Sequence, residues 1–208
     1  MTRSNSTIAA IILAAGKSKR FGAPKVLQIF NGVPFLTRIR KNLQSVGIER
    51  PFLILGYQAQ SILPQLPEAE KFRIVVNSEY EQGMFASVRA GIKALPESIP
   101  GTLLCLIDQP HIRPDTYRRL MQSAAAHPHS VIIPTFEKRG GHPVYLPSAL
   151  FGPILKSDPQ NTLKDILNQY PHLILRPETD DPGILDDIDR PDELIRLETI
   201  ARKQQHND

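Results

Sequence analysis

Short apolar runs of strand length alternate with segments of helical period along most of this chain, and that alternation restricts its fold more than any other property. Residues 8–13, 52–55, 73–76, 102–107 and 131–133 read as strands, and residues 35–46, 61–66, 85–95 and 114–126 between them read as helices. Strand, helix and strand in repetition is the pattern of βαβ units, so the sequence predicts an α/β fold with a doubly wound, mainly parallel sheet. The pattern then loosens: 142–146 and 173–176 read as strands, and 148–156, 162–170 and 191–203 as helices. With 208 residues and no shift of composition, one domain over 1–208 is expected, with flexible ends at 1–6 and 204–208.

A net charge of +4 and a pI near 9.3 suit an anionic partner, yet the basic residues are scattered, the one tight group being Lys17, Lys19, Arg20 and Lys25. With no Trp and no arginine-aromatic interleaving, this favours an anionic small molecule over a nucleic acid. The longest apolar runs, 8–15 and 103–107, are far shorter than the ~20 residues of a membrane span, so no membrane partner is expected. The opening MTRSNST lacks the pattern of a secretory signal, and a single cysteine excludes an intramolecular disulfide; a cytoplasmic protein is the expectation. Cys105, inside TLLCLI, reads as a small buried hydrophobe.

In open α/β sheets ligands gather beyond the carboxyl ends of the strands, which directs attention to the segments that follow them. The first is LAAGKSKRFGAPK, residues 13–25. Its Gly16-Lys17-Ser18 ends like a phosphate-binding P-loop, but the position that needs the earlier glycine is Ile11, in mid-strand. The dinucleotide fingerprint fails too, because Gly16 and Gly22 are six apart with charged residues between them. What remains is a strand ending in Leu13, Ala14, Ala15 and Gly16, followed by a cationic loop. Small residues let a ligand touch the backbone, while Arg20 and Lys25 neutralise a polyphosphate from two sides.

Other segments have the same placement. Gly83 precedes a helical pattern, so free N–H groups and the Ser87 hydroxyl can face a ligand there, although a capping glycine and an ordinary helix serine fit as well. Arg89 reaches either a phosphate or a helix-face ion pair. Asp108 ends an apolar strand, where it either holds a hard cation such as Mg²⁺ beside phosphates or starts a turn before Pro110. The pair Gly140 and Gly141 before His142 lets backbone approach a ligand as a strand begins. In the acidic run DDPGILDDIDRPDEL, capping of the helix that Pro191 opens accounts for Asp192 and Glu193.

The motifs together resemble the nucleotidyltransferases that activate molybdenum cofactor, relatives of the sugar-phosphate and diphosphocytidyl-methylerythritol nucleotidylyltransferases. That family opens with Leu-Ala-(Ala or Gly)-Gly, three residues, Arg-(Phe or Met)-Gly, and a Lys two or three positions on. Here the match is Leu13-Ala14-Ala15-Gly16, Arg20-Phe21-Gly22 and Lys25. In family order follow Gly83-Met84 with Ser87-Val88-Arg89-Ala90-Gly91, then Asp108-Gln109-Pro110, Gly141-His142-Pro143, and Asp187-Ile188-Asp189-Arg190-Pro191. The resemblance implies a Rossmann-like nucleotidyltransferase domain that moves a nucleoside monophosphate to a phosphorylated acceptor, molybdopterin or molybdenum cofactor in the first place, with release of pyrophosphate. It implies that Leu13, Ala14, Ala15, Gly16, Lys17, Ser18, Gly83 and Ser87 bind the nucleotide, and that Asp108, Asp189 and Asp187 face Mg²⁺. It further assigns Arg20 to the β- and γ-phosphates, Lys25 to the α-phosphate, and Gly141, His142 and Pro143 to the acceptor.

Within the family, alanine at the position of Ala15 goes with the cytidylyltransferase branch, which points to CTP. Two segments depart from the pattern. Pro24 replaces an acidic residue before the loop lysine, and Ser157-Asp158-Pro159-Gln160-Asn161-Thr162 replaces a Gly-Asp-x-Gly-Ala-Arg segment of that branch. Both bear on the acceptor, so a sugar phosphate or an alcohol phosphate stays open beside molybdopterin. A nucleotide-binding module without catalysis would not need Asp108 and Asp189. A carrier that hands molybdenum cofactor to a partner molybdoenzyme could retain every motif.

Overall fold

The computed structural model describes the backbone of residues 8–205 and the side chains of residues 8–200. The expectation of a flexible segment at 1–6 lies outside the described residues. In chain order the elements are β1 Ala9–Ala14, the hairpin β2 Ile29–Phe30 and β3 Val33–Pro34, α1 Phe35–Ser45, β4 Phe52–Leu55, α2 Ala59–Ile62, β5 Arg73–Val76 and α3 Met84–Ala94. Then come β6 Gly101–Leu106, α4 Pro114–Ala126, β7 Val131–Ile132, the hairpin β8 Thr135–Phe136 and β9 Arg139–Gly140, and β10 Val144–Pro147. The chain closes with α5 Phe151–Lys156, α6 Leu163–Leu167, β11 Ile174–Leu175 and α7 Pro191–Gln205.

The fold is the expected α/β one. Seven strands form a sheet in the order β11-β7-β10-β6-β1-β4-β5, with every pairing parallel except those of β10, which runs antiparallel to β6 and β7. From β1 the chain steps outward through β4 to β5, then returns to lay β6 on the other side of β1. The winding therefore reverses at β1, and the crevice it opens lies beyond the ends of β1 and β6. Because β10 is reversed, its beginning meets the carboxyl end of β6, Val144 pairing with Leu104. That reversal brings Gly141 and His142 to the same edge as Ala15 and Asp108.

β1 feeds both faces of the sheet. Ala10 and Ile12 pack into one core with Phe35, Ile39 and Leu43 of α1 and Tyr117 and Leu120 of α4, while Ile11 and Leu13 pack into the other with Phe85, Val88 and Ile92 of α3. Alternation of side chains along a strand accounts for the split. Ile11 and Ile12 are fully buried, and such burial stabilises by ~1.5–3 kcal/mol per side chain.

Several boundaries differ from expectation for local reasons. The 61–66 helix is instead one α-turn, α2, followed by a 3-10 turn Leu63–Gln65, since Pro64 lacks the N–H that would extend it. β10 starts at Val144, after Pro143, rather than at His142. α6 begins behind Thr162, whose hydroxyl accepts the Asp165 N–H while Asp165 accepts the Thr162 N–H, and it stops at Leu167 instead of Tyr170. α7 continues through 204 and 205, which the sequence places in a flexible tail; Ala201 to Gln205 are all good helix formers. Cys105 is buried in β6, and burial pushes its thiol pKa up to about 12, so it is the inert hydrophobe that its surroundings imply.

Gly91 sets how closely α3 lies on β1, because a Cβ there would stand 2.8 Å from Ile11 Cγ2. Gly91→Ala should lower stability: overpacking of about 1–3 kcal/mol outweighs the ~1 kcal/mol of helix propensity gained. A reduced urea midpoint is the expected result, and an increased one would show that Ile11 yields freely.

Candidate functional site

The carboxyl ends of β1, β4, β5 and β6 and the start of β10 converge on one edge of the sheet. Ala15 is held there by its carbonyl, which accepts the Tyr57 N–H at 3.1 Å, and Leu13 by its own, which accepts the Ile107 N–H at 3.2 Å. The loop beyond Gly16 turns at Ser18, which has φ +48°, and at Gly22, with φ +81°; both Phe21 and Gly22 donate to the Ser18 carbonyl at 3.0 Å. Phe21 is buried and anchors the loop in the core. The Ser18 hydroxyl accepts the Lys25 N–H at 3.3 Å, closing the loop and aiming the lysine inward.

Lys25 is only 8% exposed. Its Nζ lies 2.9 Å from Asp108 Oδ2 and 2.5 Å from Asp189 Oδ1, and the exposed Arg20 holds Asp189 Oδ2 at 2.6 Å. Burial by itself would lower the Lys25 pKa, but the two carboxylates outweigh it and the pKa is raised, so the group stays an ammonium. Asp189 is oriented from behind, since Glu193 Oε2 accepts the N–H groups of Asp189 at 2.7 Å and Arg190 at 2.9 Å, the capping expected of Glu193. Asp108 Oδ1 is buried and has no hydrogen-bond partner among the described residues.

A cavity of about 320 Å³ opens above this cluster, lined by Leu13, Ala14, Ala15, Gly16, Ser18, Arg20, Lys25, Gly83, Ser87, Asp108 and Asp189. Most residues that the sequence assigns to the nucleotide thus share one wall. Lys17 does not: it lines an adjoining cavity with Tyr57 and Gln58, where its Nζ pairs with Glu81 Oε1 at 2.5 Å and stands 5.8 Å from the Tyr80 ring. Asp187 lines neither. It accepts from Gln109 Nε2 at 2.9 Å, and its pKa is raised by burial first and then by Asp108.

A larger cavity of about 710 Å³ meets the first at Gly83 and Met84 and is lined by Gly141 and His142, by Gln160 to Lys164 and by Arg176. Pro143 is not on its lining. Gly141 has a different reason from the one its sequence suggests. A Cβ there would come within 2.1 Å of the Ile184 carbonyl oxygen, so the missing side chain makes room for the chain's own segment of residues 181–189. Arg89 also departs from both of its expected roles, donating to the carbonyls of Leu155 at 3.1 Å and Ser157 at 3.2 Å, where the end of α5 leaves acceptors free.

The strap 181–189 was not legible as a connector. Asp181 is buried and accepts from the Arg113 N–H, the Thr116 hydroxyl and the Gly183 N–H. The Ile184 carbonyl accepts from Gln109 Nε2 at 3.2 Å and from the His142 N–H at 3.1 Å, and Ile188 N–H donates to the Asp108 carbonyl at 2.9 Å. One segment therefore ties the carboxylate pair to the edge of the larger cavity. Asn77 and Gln109 also stand at the site, with no role legible for either from sequence. Both are polar residues just past strand ends, and that position was the available signal.

Among the described residues no three His, Cys, Asp or Glu side chains gather as a metal-binding group, and no helix is long and apolar enough to cross a membrane.

Residues 10–173 match the MobA-like NTP transferase domain. The chain is 27% identical to nicotine blue oxidoreductase of Paenarthrobacter nicotinovorans, covering 91% of this chain and 96% of that protein. It is 26% identical to the molybdenum cofactor cytidylyltransferase of Escherichia coli, over 91% of this chain and 95% of that one. Among solved structures, Rv0371c from Mycobacterium tuberculosis superposes with a TM-score of 0.77 at 24% identity, over 93% of this chain and 98% of that one. A second structure of Rv0371c, in complex with manganese, has a TM-score of 0.70 at 22% identity, over 91% and 97% of the two chains.

Burial lowers the pKa values of His111 and His142, against the opposing pull of nearby carboxylates. Below an unfolded-state value of about 6.5 the unfolded chain therefore takes up protons that the folded chain refuses. Stability present above that pH should be lost as the pH falls from about 6.5 through the folded values. Thermal unfolding between pH 7.5 and 5 should show the decline in wild type and a flatter curve in His111→Asn/His142→Asn; equal slopes would contradict it.

Proposed function

Since the chain belongs to the family of MobA-like NTP transferase domains, we propose that it moves a nucleoside monophosphate, CMP in the first place, from its triphosphate to a phosphorylated acceptor of the molybdopterin type. The observation that carries this reading is Lys25 held between Asp108 and Asp189, with Arg20 on the outer carboxylate. Two cations and two carboxylates balance each other in the nucleotide-free chain. A triphosphate draws Lys25 and Arg20 to its own oxygens and leaves the carboxylates to a metal.

Asp108 and Asp189 fit Mg²⁺: they are hard oxygen donors, and Asp108 Oδ1 is buried without a partner among the described residues. Two carboxylates with phosphate oxygens make up the usual environment of this ion, which needs no all-protein cage. Bound there, the ion supplies neutralisation of charge on the α-phosphate and the leaving group. The relative in the manganese complex supports a divalent ion in this fold.

The reaction is an in-line displacement. An oxygen of the acceptor's phosphate forms a bond to the α-phosphorus, the bond from that phosphorus to the bridging oxygen breaks, and pyrophosphate departs with the electron pair. No covalent help from the protein is required, so positioning and charge stabilisation carry the step. Lys25 stabilises charge at the α-phosphate and Arg20 the β- and γ-phosphates, while the Leu13 to Gly16 backbone, Gly83 and Ser87 hold base and ribose. The loop cavity beside Lys17 and Lys19 suits the outer phosphates.

The acceptor lies in the larger cavity, with the transfer point near Gly83 and Met84, where the two cavities meet. Lys164 and Arg176 contribute positive charge to its lining, no carboxylate does, and Gln160, Asn161 and Asn168 offer amides to the polar edge of a ring. A volume of about 710 Å³ favours a ring-bearing phosphate over a small alcohol phosphate. The Escherichia coli relative's name supports cytidylyl transfer to molybdenum cofactor.

Asp108→Asn should lower kcat for pyrophosphate release from Mg·CTP and acceptor by at least ~100-fold, the scale of losing one preorganised charge-stabilising group. Near-normal turnover by the purified variant would remove Asp108 from the mechanism.

A further inference from the structure

Ser87 stands in the first turn of α3, 4% exposed, on the wall of the smaller cavity. A helix serine commonly donates its proton to the carbonyl four residues back. Here its hydrogen-bond partner among the described residues is Asn77 instead. Asn77 follows β5, is 5% exposed, and donates its backbone N–H to the Leu55 carbonyl at 2.7 Å.

The direction of each hydrogen bond is fixed by the next. The Glu79 N–H can only donate, and it points at Asn77 Oδ1 at 2.9 Å. The other end of the side chain is therefore its NH₂ group, which faces Ser87 Oγ at 3.1 Å and can only donate. The Ser87 oxygen accepts, and its own proton is left to the cavity.

Resting on the reading that this cavity holds the base of the triphosphate, we infer that Asn77 is a specificity-determining positioning residue. It fixes the polarity of the Ser87 hydroxyl, so that the cavity presents a donor to the base. A pyrimidine edge with acceptors, O2 and N3 of cytosine, is matched by that donor. Guanine turned the same way brings N1–H and N2–H against it. Asn77 touches no substrate; it acts through Ser87.

The test measures Kd of non-hydrolysable CTP and GTP analogues with Mg²⁺ by calorimetry, on wild type, Asn77→Asp and Ser87→Ala. Aspartate has the same shape, but its carboxylate accepts from both Glu79 N–H and the Ser87 hydroxyl, which reverses the serine. The preference for CTP over GTP, taken as the ratio of Kd values, should fall at least ~10-fold in Asn77→Asp and about 3- to 10-fold in Ser87→Ala, the scale of one neutral hydrogen bond. With CTP as substrate the loss should sit in KM rather than kcat. Added negative charge alone would weaken both nucleotides together and leave the ratio unchanged. An unchanged ratio in Asn77→Asp, with wild type binding nucleotide, overturns the role of Asn77 while the transferase reading stands. If Asn77→Asp does not fold, Asn77→Ala decides by the same ratio, because it removes the amide that fixes the Ser87 hydroxyl. A wild type that binds neither nucleotide defeats the nucleotide reading and this inference with it.

Discussion

One ammonium group holds the site together. Lys25 is nearly buried, and a buried cation is tolerated only where carboxylates surround it; losing one partner of such a group costs several kcal/mol. Its two partners lie 83 and 164 residues away in sequence, one at the end of β6 and one at the close of the strap. The opening loop, the central strand and the C-terminal segment must all be in place before the charge is balanced. The same arrangement is unfinished chemically, because Asp108 Oδ1 lacks a partner among the described residues and Arg20 is largely exposed.

Topology explains why so many segments reach this point. Parallel strands on either side of β1 end at one edge, and the reversed β10 begins there. The strap then crosses the same edge, bonded to Gln109, His142 and Asp108 through its backbone at Ile184 and Ile188. Gly141 leaves room for it. The two cavities are thus neighbouring spaces that share Gly83 and Met84, and the strap ties the carboxylate pair to the edge of the larger one.

Much of this was legible in the sequence. Apolar runs and helical periods gave the strands of the large sheet and the main helices between them because they report local burial, but not the two hairpins, whose strands are two residues long; the rule that ligands gather beyond strand ends selected Gly16, Gly83 and Asp108. What was not legible depends on contacts between distant segments. Nothing local to Gly141 says that its neighbour is Ile184 rather than a ligand, or that Asp181, in an acidic run that looks solvated, is buried under three donors. Arg89 could not be assigned to the end of α5 without knowing that α3 and α5 are neighbours. Asp187 and Asp189 stand two residues apart in one acidic run, and only distant partners distinguish them: Gln109 binds the first, Lys25 and Arg20 the second.

On the proposed function, Lys25 occupies in the nucleotide-free chain the carboxylates that a metal takes in the loaded one. The most direct measurement is the Mn²⁺ affinity of the nucleotide-free protein, wild type against Lys25→Met, followed by the electron paramagnetic resonance of free Mn²⁺. Removing the ammonium should leave Asp108 and Asp189 open to the ion and tighten binding at least ~10-fold, the effect of ~1.4 kcal/mol. Equal affinities in the two proteins, with the variant folded, would mean that Lys25 and the metal do not share those carboxylates.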